Sequence, residues 1–406
     1  MTTPRLKSFT WRLSQIPEET SKDDILNYFD TDDRERIKVI SLYPDASELG
    51  KLTATLLFKP NPDQPFDSPK RLPTAPEDIE IDKEFEGLTT LYCPPRGQVI
   101  AADVIAITGL TGHAFGSWAK SENFMWLRDF ASKFGPSTRV LTYGYDTRLE
   151  GIDTSMTILA DQAKAFLGQI KFSREARKCQ KRPIIFIGHS LGCLLIKRVG
   201  NAMVEARDQY FALPVHAIIF MAAPHRGMNI KALEALVQGE PPQTLVRELE
   251  RGSPTLQDLA ERFPRVLGDI PVLTVFETKK TQTVEKAQEP YALIISDFGL
   301  TECQGPDGKW VRSGERVFMV ESHSAKEYSQ NERQICSNEN HSSIAKLARN
   351  SNNIVFNSLR AFIAEILPKS IDALDSVCNY PLYIYISKYA DTLCVPHQDT
   401  SDVFGI

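Results

Sequence analysis

The 406-residue sequence predicts an α/β fold: a mostly parallel sheet flanked by helices, with a helical insertion, preceded by a small α+β segment. Three observations carry this. Residues 184–187 (Ile-Ile-Phe-Ile) are apolar at every position, as in a strand covered on both faces. From residue 88 onward, strand-like and helix-like stretches alternate, which is the order of a parallel sheet with crossover helices. Residues 8–58 instead read strand, helix, strand, strand, and a stretch rich in Pro, Asp and Lys follows.

The elements follow in order. Residues 8–13 alternate, Ser21-Lys-Asp-Asp opens a helix with a capping residue and an acidic first turn, and 37–42 and 52–58 are apolar-rich. Residues 59–87 read as a linker. Strands are expected at 103–108, 139–145, 184–187, 215–222, 271–276 and, as the last, 316–320. Helices are expected at 124–134, 155–170, after the 184–187 strand, through the 229–268 insertion, and from His341 onward. The parallel-sheet domain thus spans 88–368, and 369–406 is a tail without clear period.

Composition narrows the function classes. A 42% hydrophobic and 24% charged chain is globular, and a net charge of −5 leaves no polybasic surface for nucleic acid. The seven cysteines are scattered without a C-x-x-C pair, against a zinc site or a disulfide framework and in keeping with a reducing compartment. No metal or cofactor motif is present, so none is expected. No secretory h-region and no membrane-length apolar run are visible, and the expected place is the cytoplasm or the periphery of an intracellular membrane.

The sharpest local signal is Gly188-His189-Ser190-Leu191-Gly192, between a buried strand and a helix whose Leu191, Leu195, Val199 and Met203 share one stripe. A turn that tight strains the serine and demands small flanks, and it places the hydroxyl at the positive end of the helix beside free amides. This is a nucleophile elbow, with Ser190 as the candidate nucleophile.

The motifs Ile-Thr-Gly-Leu-Thr-Gly-His (107–113), Trp-Leu-Arg-Asp (126–129), Leu-Thr-Tyr-Gly-Tyr-Asp (141–146), Gly-His-Ser-Leu-Gly (188–192), Ala-Pro-His-Arg-Gly (223–227) and Asn-His-Ser-Ser-Ile-Ala-Lys (340–346) together resemble a family of serine esterases and lipases. That family belongs to the α/β-hydrolase superfamily. It includes serine-active-site-containing proteins, fungal ones among them, linked to phospholipid remodelling and, more distantly, GPI inositol deacylases. The likeness spans about residues 88–350. It implies an α/β-hydrolase fold, no cofactor, and a hydrophobic acyl-ester substrate such as a membrane lipid, with peripheral membrane contact. Fungal hydrolases of this kind often carry an N-terminal segment like 1–58, which resembles the front of a ferredoxin-like fold. It is read as a protein-contact or packing module, since the aromatics that RNA binding needs are not evident.

In this fold the triad runs Ser, acid, His along the chain. The base is His341, at the position where the resemblance also places the family histidine. The acid is expected at Glu277, the end of the 271–276 strand, with Asp146 and Glu321 as competitors. The oxyanion donors are the amides of Leu191 and, in the loop after 103–108, of Leu110, although Thr108-Gly109 replaces the commoner His-Gly pair. Gly109, His113, His189 and His225 are possible pocket residues; His225 precedes the acid, which breaks the order required of a base. The apolar faces of 229–268 either cover an acyl chain or pack on the sheet. The other class of reading is a non-catalytic signalling or scaffold module, since fold alone does not decide activity.

Overall fold

The computed structural model describes residues 9–59, 75–121, 123–135, 137–149, 154–205, 213–286, 303–305, 308–348 and 353–377. The chain enters through β1 (Phe9–Pro17), α1 (Lys22–Asn27), β2 (Ile37–Pro44), β3 (Lys51–Phe58) and β4 (Glu80–Asp82). Helix α1 starts where the sequence places it: Ser21 and Asp24 form a reciprocal capping box. The four strands make a sheet in the order β2-β3-β1-β4, closed over Leu13, Ile16, Ile25, Phe29 and Leu56. Strand β3 is buried from Leu52 to Phe58, so it offers no open face on which bases could stack. Residues 80–82, expected in the linker, instead pair with β1 (Arg12 opposite Asp82) and complete this sheet. Residues 60–74 of that linker lie outside the described residues.

The second sheet is built from β5 (Gly87–Tyr92), β6 (Ala102–Ile107), β7 (Thr138–Gly144), β8 (Ile184–His189), β9 (Val215–Met221), β10 (Val272–Glu277) and β11 (Glu332–Ser337). Its order is β11-β10-β9-β8-β6-β7-β5, parallel throughout except for the antiparallel edge strand β5. The helices are α2 (Leu159–Ala176), α3 (Leu191–Glu205), α4 (Lys231–Leu236), α5 (Gln243–Glu248), α6 (Pro254–Leu267) and α7 (Ile354–Val377). One face of the sheet buries Phe166, Leu195 and Phe263 beneath α2, α3 and α6; the other buries Trp118, Trp126 and Phe362. A parallel sheet covered on both faces explains why β6, β8 and β9 read as continuous apolar runs. This is the α/β-hydrolase fold.

Several expected elements fall elsewhere. Residues 316–320 are not the last strand of the sheet: Arg316–Val317 pairs antiparallel with Thr281–Gln282, outside it. The last position belongs to β11, an edge strand facing water along much of its length, whose Glu-Arg-Gln-Ile-Cys-Ser sequence therefore lacks an apolar run. The 124–134 stretch divides into a short strand and the turns of helix Trp126–Asp129 and Ala131–Phe134, and α2 begins at Leu159 rather than 155. His341 stands in a turn, not in a helix, and α7 opens at Ile354. Residues 369–377 of the expected tail continue α7; 378–406 lie outside the described residues.

Candidate active site

Ser190 leaves β8 with φ at +51°, a left-handed conformation that a residue with a β-carbon adopts only under constraint. The constraint is tight packing. A β-carbon on Gly192 would lie 2.3 Å from the Ile107 carbonyl oxygen and 2.6 Å from that of Thr108. The serine amide donates to the Met221 carbonyl (3.0 Å) and its carbonyl accepts from Cys193 (3.0 Å), so both neighbouring elements hold the turn.

Across the mouth, His341 Nε2 lies 2.9 Å from Ser190 Oγ, with both residues buried. The His341 backbone is pinned by its amide to Thr281 Oγ1 (3.0 Å), and its carbonyl accepts from His189 Nε2 (3.0 Å). Glu277, at the end of β10, is buried, and its Oε1 is 3.8 Å from His341 Nδ1. That is longer than a hydrogen bond. Oε1 accepts instead from the Val320 amide at 2.6 Å, whereas Oε2 and His341 Nδ1 are buried without a partner among the described residues. The competing acids are engaged elsewhere: Asp146 with Arg148 (2.9 Å), and half-exposed Glu321 with Arg251 (2.5 Å) and His323 (3.3 Å).

The loop after β6 lies directly over the serine. A β-carbon on Gly109 would sit 2.7 Å from Ser190 Cβ and 3.0 Å from the His189 carbonyl oxygen. Within this loop the amides of Thr111 and Gly112 donate to Thr147 and Gly109. Those of Gly109 and Leu110 have no acceptor among the described residues. Leu191 opens α3, where an amide has no carbonyl four residues earlier. A serine hydroxyl bonded to an imidazole, beside unpaired amides at a helix start, is a geometry competent for acyl transfer.

A family model described as Lecithin:cholesterol acyltransferase matches residues 104–300. Protein SERAC1 of Danio rerio is 26% identical over 257 residues, covering 56% of this chain and 38% of that protein. SERAC1 of Homo sapiens is 26% identical over 224 residues, 49% of this chain and 34% of that protein. The chain therefore spans little more than a third of these relatives, which are animal rather than fungal proteins. The segment matched by the family model is just under half of the chain, and the sheet order establishes the α/β-hydrolase fold. Among solved structures, the Bacillus licheniformis lipase BlEst2 in mature form overlaps 68% of this chain and 97% of its own, with a TM-score of 0.42 and 13% identity. Phospholipase PlaB from Legionella pneumophila overlaps 44% of this chain and 39% of its own, with a TM-score of 0.35 and 16% identity.

His113, His189 and His225, the three histidines expected near the pocket, take three different positions. His189 packs beneath the elbow, 5.2 Å from the His341 ring, and burial first, then the neighbouring His341, pushes its pKa down to about 3. His225 is turned inward, its Nδ1 3.1 Å from Glu327 Oε2 and 3.5 Å from Lys197 Nζ, with Phe220 edge-on. Its bonds are not to Ser190 or His341. Burial, Lys197 and Arg226 hold it well below the ordinary histidine range. His113 belongs to the loop over the serine, and its bonds run to Lys83, Phe115 and Gly116.

Sequence reasoning missed Thr281, Val320 and Trp126, whose indole donates to the Ala345 carbonyl (2.7 Å) in the His341 loop. It also missed the buried Lys197–Glu327 pair (2.8 Å), which ties α3 to the 319–328 segment. None of these contacts has a local sequence signal. The insertion's Leu236, Val237, Leu245, Leu249, Leu256, Leu259 and Phe263 are buried in the core, and Leu233 packs against it, which is the packing alternative. A cavity of about 190 Å³ under α6, lined by Met203, Leu213, Val215 and Val266 among others, lies at the far end of the strands from Ser190.

Proposed function

We propose that this hydrolase cleaves the carboxylic ester or thioester of a lipid-like acyl substrate through an acyl-enzyme on Ser190. The observation that carries the reading is the 2.9 Å contact between Ser190 Oγ and His341 Nε2 at the carboxyl ends of the parallel strands. In the proposed reaction His341 Nε2 takes the hydroxyl proton as Oγ attacks the acyl carbon. The Leu191 and Leu110 amides hold the resulting oxyanion. Collapse expels the alcohol or thiol, which receives the proton from His341, and a water repeats the sequence to release the acid. Glu277 orients the imidazole and stabilises its charged form; the 3.8 Å separation closes to a hydrogen bond when substrate orders the site.

No helix among the described residues is long and apolar enough to cross a membrane, so a bilayer lipid would be reached from its surface. A second reading, transfer of the acyl group to an alcohol rather than water, is favoured by the acyltransferase model matched over residues 104–300. The test uses a fluorophosphonate and short p-nitrophenyl esters. Wild-type protein should be labelled and active, and Ser190→Ala should lose both while keeping its thermal midpoint. Equal labelling of the two proteins would sink the assignment. Product partition in the presence of an added alcohol separates hydrolysis from transfer.

A further inference from the structure

Resting on the Ser190 reading, we propose that His113 is a positioning residue through which the amino-terminal sheet holds the loop presenting the Gly109 and Leu110 amides. The β1–β4 sheet is then part of the machinery for turnover.

The argument starts at the imidazole. His113 Nδ1 accepts from the amides of Phe115 (3.1 Å) and Gly116 (2.9 Å), so it carries no proton. Nε2–H therefore donates, and its acceptor is the Lys83 carbonyl at 2.5 Å. One ring thus closes the loop on itself and fastens it to the segment that leaves β4. Neighbouring Phe85 is fully buried with φ at +56° and stands edge-on to His113, with centroids 5.4 Å apart.

That segment is in turn fixed to the small sheet. Asp82 accepts from the Phe85 amide through Oδ1 (2.7 Å) and from Arg12 Nε of β1 through Oδ2 (2.7 Å). Arg12 also donates to the Glu86 carbonyl (2.7 Å) and to Thr89 Oγ1 (3.0 Å). On the catalytic side, the His113 amide donates to Ser117 Oγ (3.0 Å), which lies 2.5 Å from Thr108 Oγ1. Thr108 immediately precedes Gly109, whose β-carbon position would lie 2.7 Å from Ser190 Cβ. Oxyanion donors act through preorganisation, and displacement by about 1 Å forfeits much of their effect. The Thr108 hydroxyl, held by Ser117, does the anchoring where the commoner motif carries a histidine.

A contiguous route is a hypothesis of coupling, and a double-mutant cycle in the full chain measures it. His113→Asn keeps an acceptor at the Nδ1 position but is too short to reach Lys83. Asp82→Ala releases both Phe85 and Arg12; if it does not fold, Asp82→Asn cuts the Arg12 contact alone. Each variant should lower kcat on a p-nitrophenyl ester by on the order of tenfold or more. KM should stay within about twofold, and fluorophosphonate labelling should still reach full stoichiometry, only more slowly. The double variant should be no worse than the weaker single one. Wild-type kcat in His113→Asn, or losses that multiply in the double variant, would overturn the proposal. If the wild-type protein takes up no fluorophosphonate, the Ser190 reading has failed instead. The anchor is then read by amide exchange over residues 109–117, which must accelerate in both single variants; unchanged exchange overturns it.

Discussion

Glu277 holds a carboxylate whose two oxygens are treated unequally. Oε1 accepts a 2.6 Å bond from the Val320 amide and lies 3.8 Å from the unpaired His341 Nδ1, and Oε2 is buried with no partner among the described residues. A buried donor and a buried acceptor left unsatisfied each carry a cost, and a carboxylate rotation that pairs one oxygen with Nδ1 lowers it. We propose Glu277 as the acid rather than Asp146 or Glu321, whose charges are already met by arginines near water. Glu277→Gln should lower kcat far more than it raises KM, on the order of 10⁴-fold if the site follows the serine-protease template. Asp146→Asn and Glu321→Gln should keep most of the activity. A dead Glu321→Gln beside an active Glu277→Gln, in steady-state ester hydrolysis, would move the acid off β10.

At the scale of elements, the elbow and the loop over it act as one packed unit. Gly192 meets the end of β6, and Gly109 meets Ser190, at distances no β-carbon tolerates. Gly192→Ala must push apart β6 and α3, and should cost about 1–3 kcal/mol as an overpacked site. Gly109→Ala should lose activity at a smaller stability cost, since an open loop yields more readily than a strand. Gly168, exposed on α2 with no neighbour within 4 Å of its β-carbon position, is the control. Its change to Ala should raise stability by up to about 1 kcal/mol through helix propensity. Thermal midpoints of the three variants rank them, and an unchanged Gly192→Ala would remove the packing argument. The elbow was legible in the sequence because a strand buried on both faces and a striped helix are local patterns. Strand β11 was not, because an edge strand shares its composition with loops. The apolar run at 317–320 misled for the converse reason: Val320 is buried as part of the segment that holds Glu277, not as a rung of the sheet. The anchoring of His113 on Lys83 joins residues 30 apart in the chain, and no periodicity records such a contact.

At the scale of the whole molecule, burial on folding lowers the pKa of four histidines. Burial is the leading cause in each case: His189 falls to about 3, His225 lies well below the ordinary value of 6.5, and His113 and His216 are lowered. In the unfolded chain all four titrate near 6.5, so below that pH the unfolded state binds more protons than the folded one. Stability is therefore fully present above about pH 7 and declines as pH falls through 6.5. For His189 the decline continues towards about 3, at roughly 1.4 kcal/mol per pH unit. The carboxylates act later. Buried Asp103 is pushed up by desolvation but held well below its ordinary 3.8 by Arg139, Arg182 and Arg174, so its contribution is lost only as pH falls below that ordinary value. The interval from pH 6.5 to about 4.5 thus isolates the histidines. Urea unfolding across it should show falling stability, and His189→Gln, which cannot take up the proton, should make the fall shallower by about one proton's slope. A stability that stays flat over the interval, or a slope that His189→Gln leaves unchanged, would mean that the folded protein lets water reach these rings, and the packing of His189 beneath the elbow would have to be given up with it.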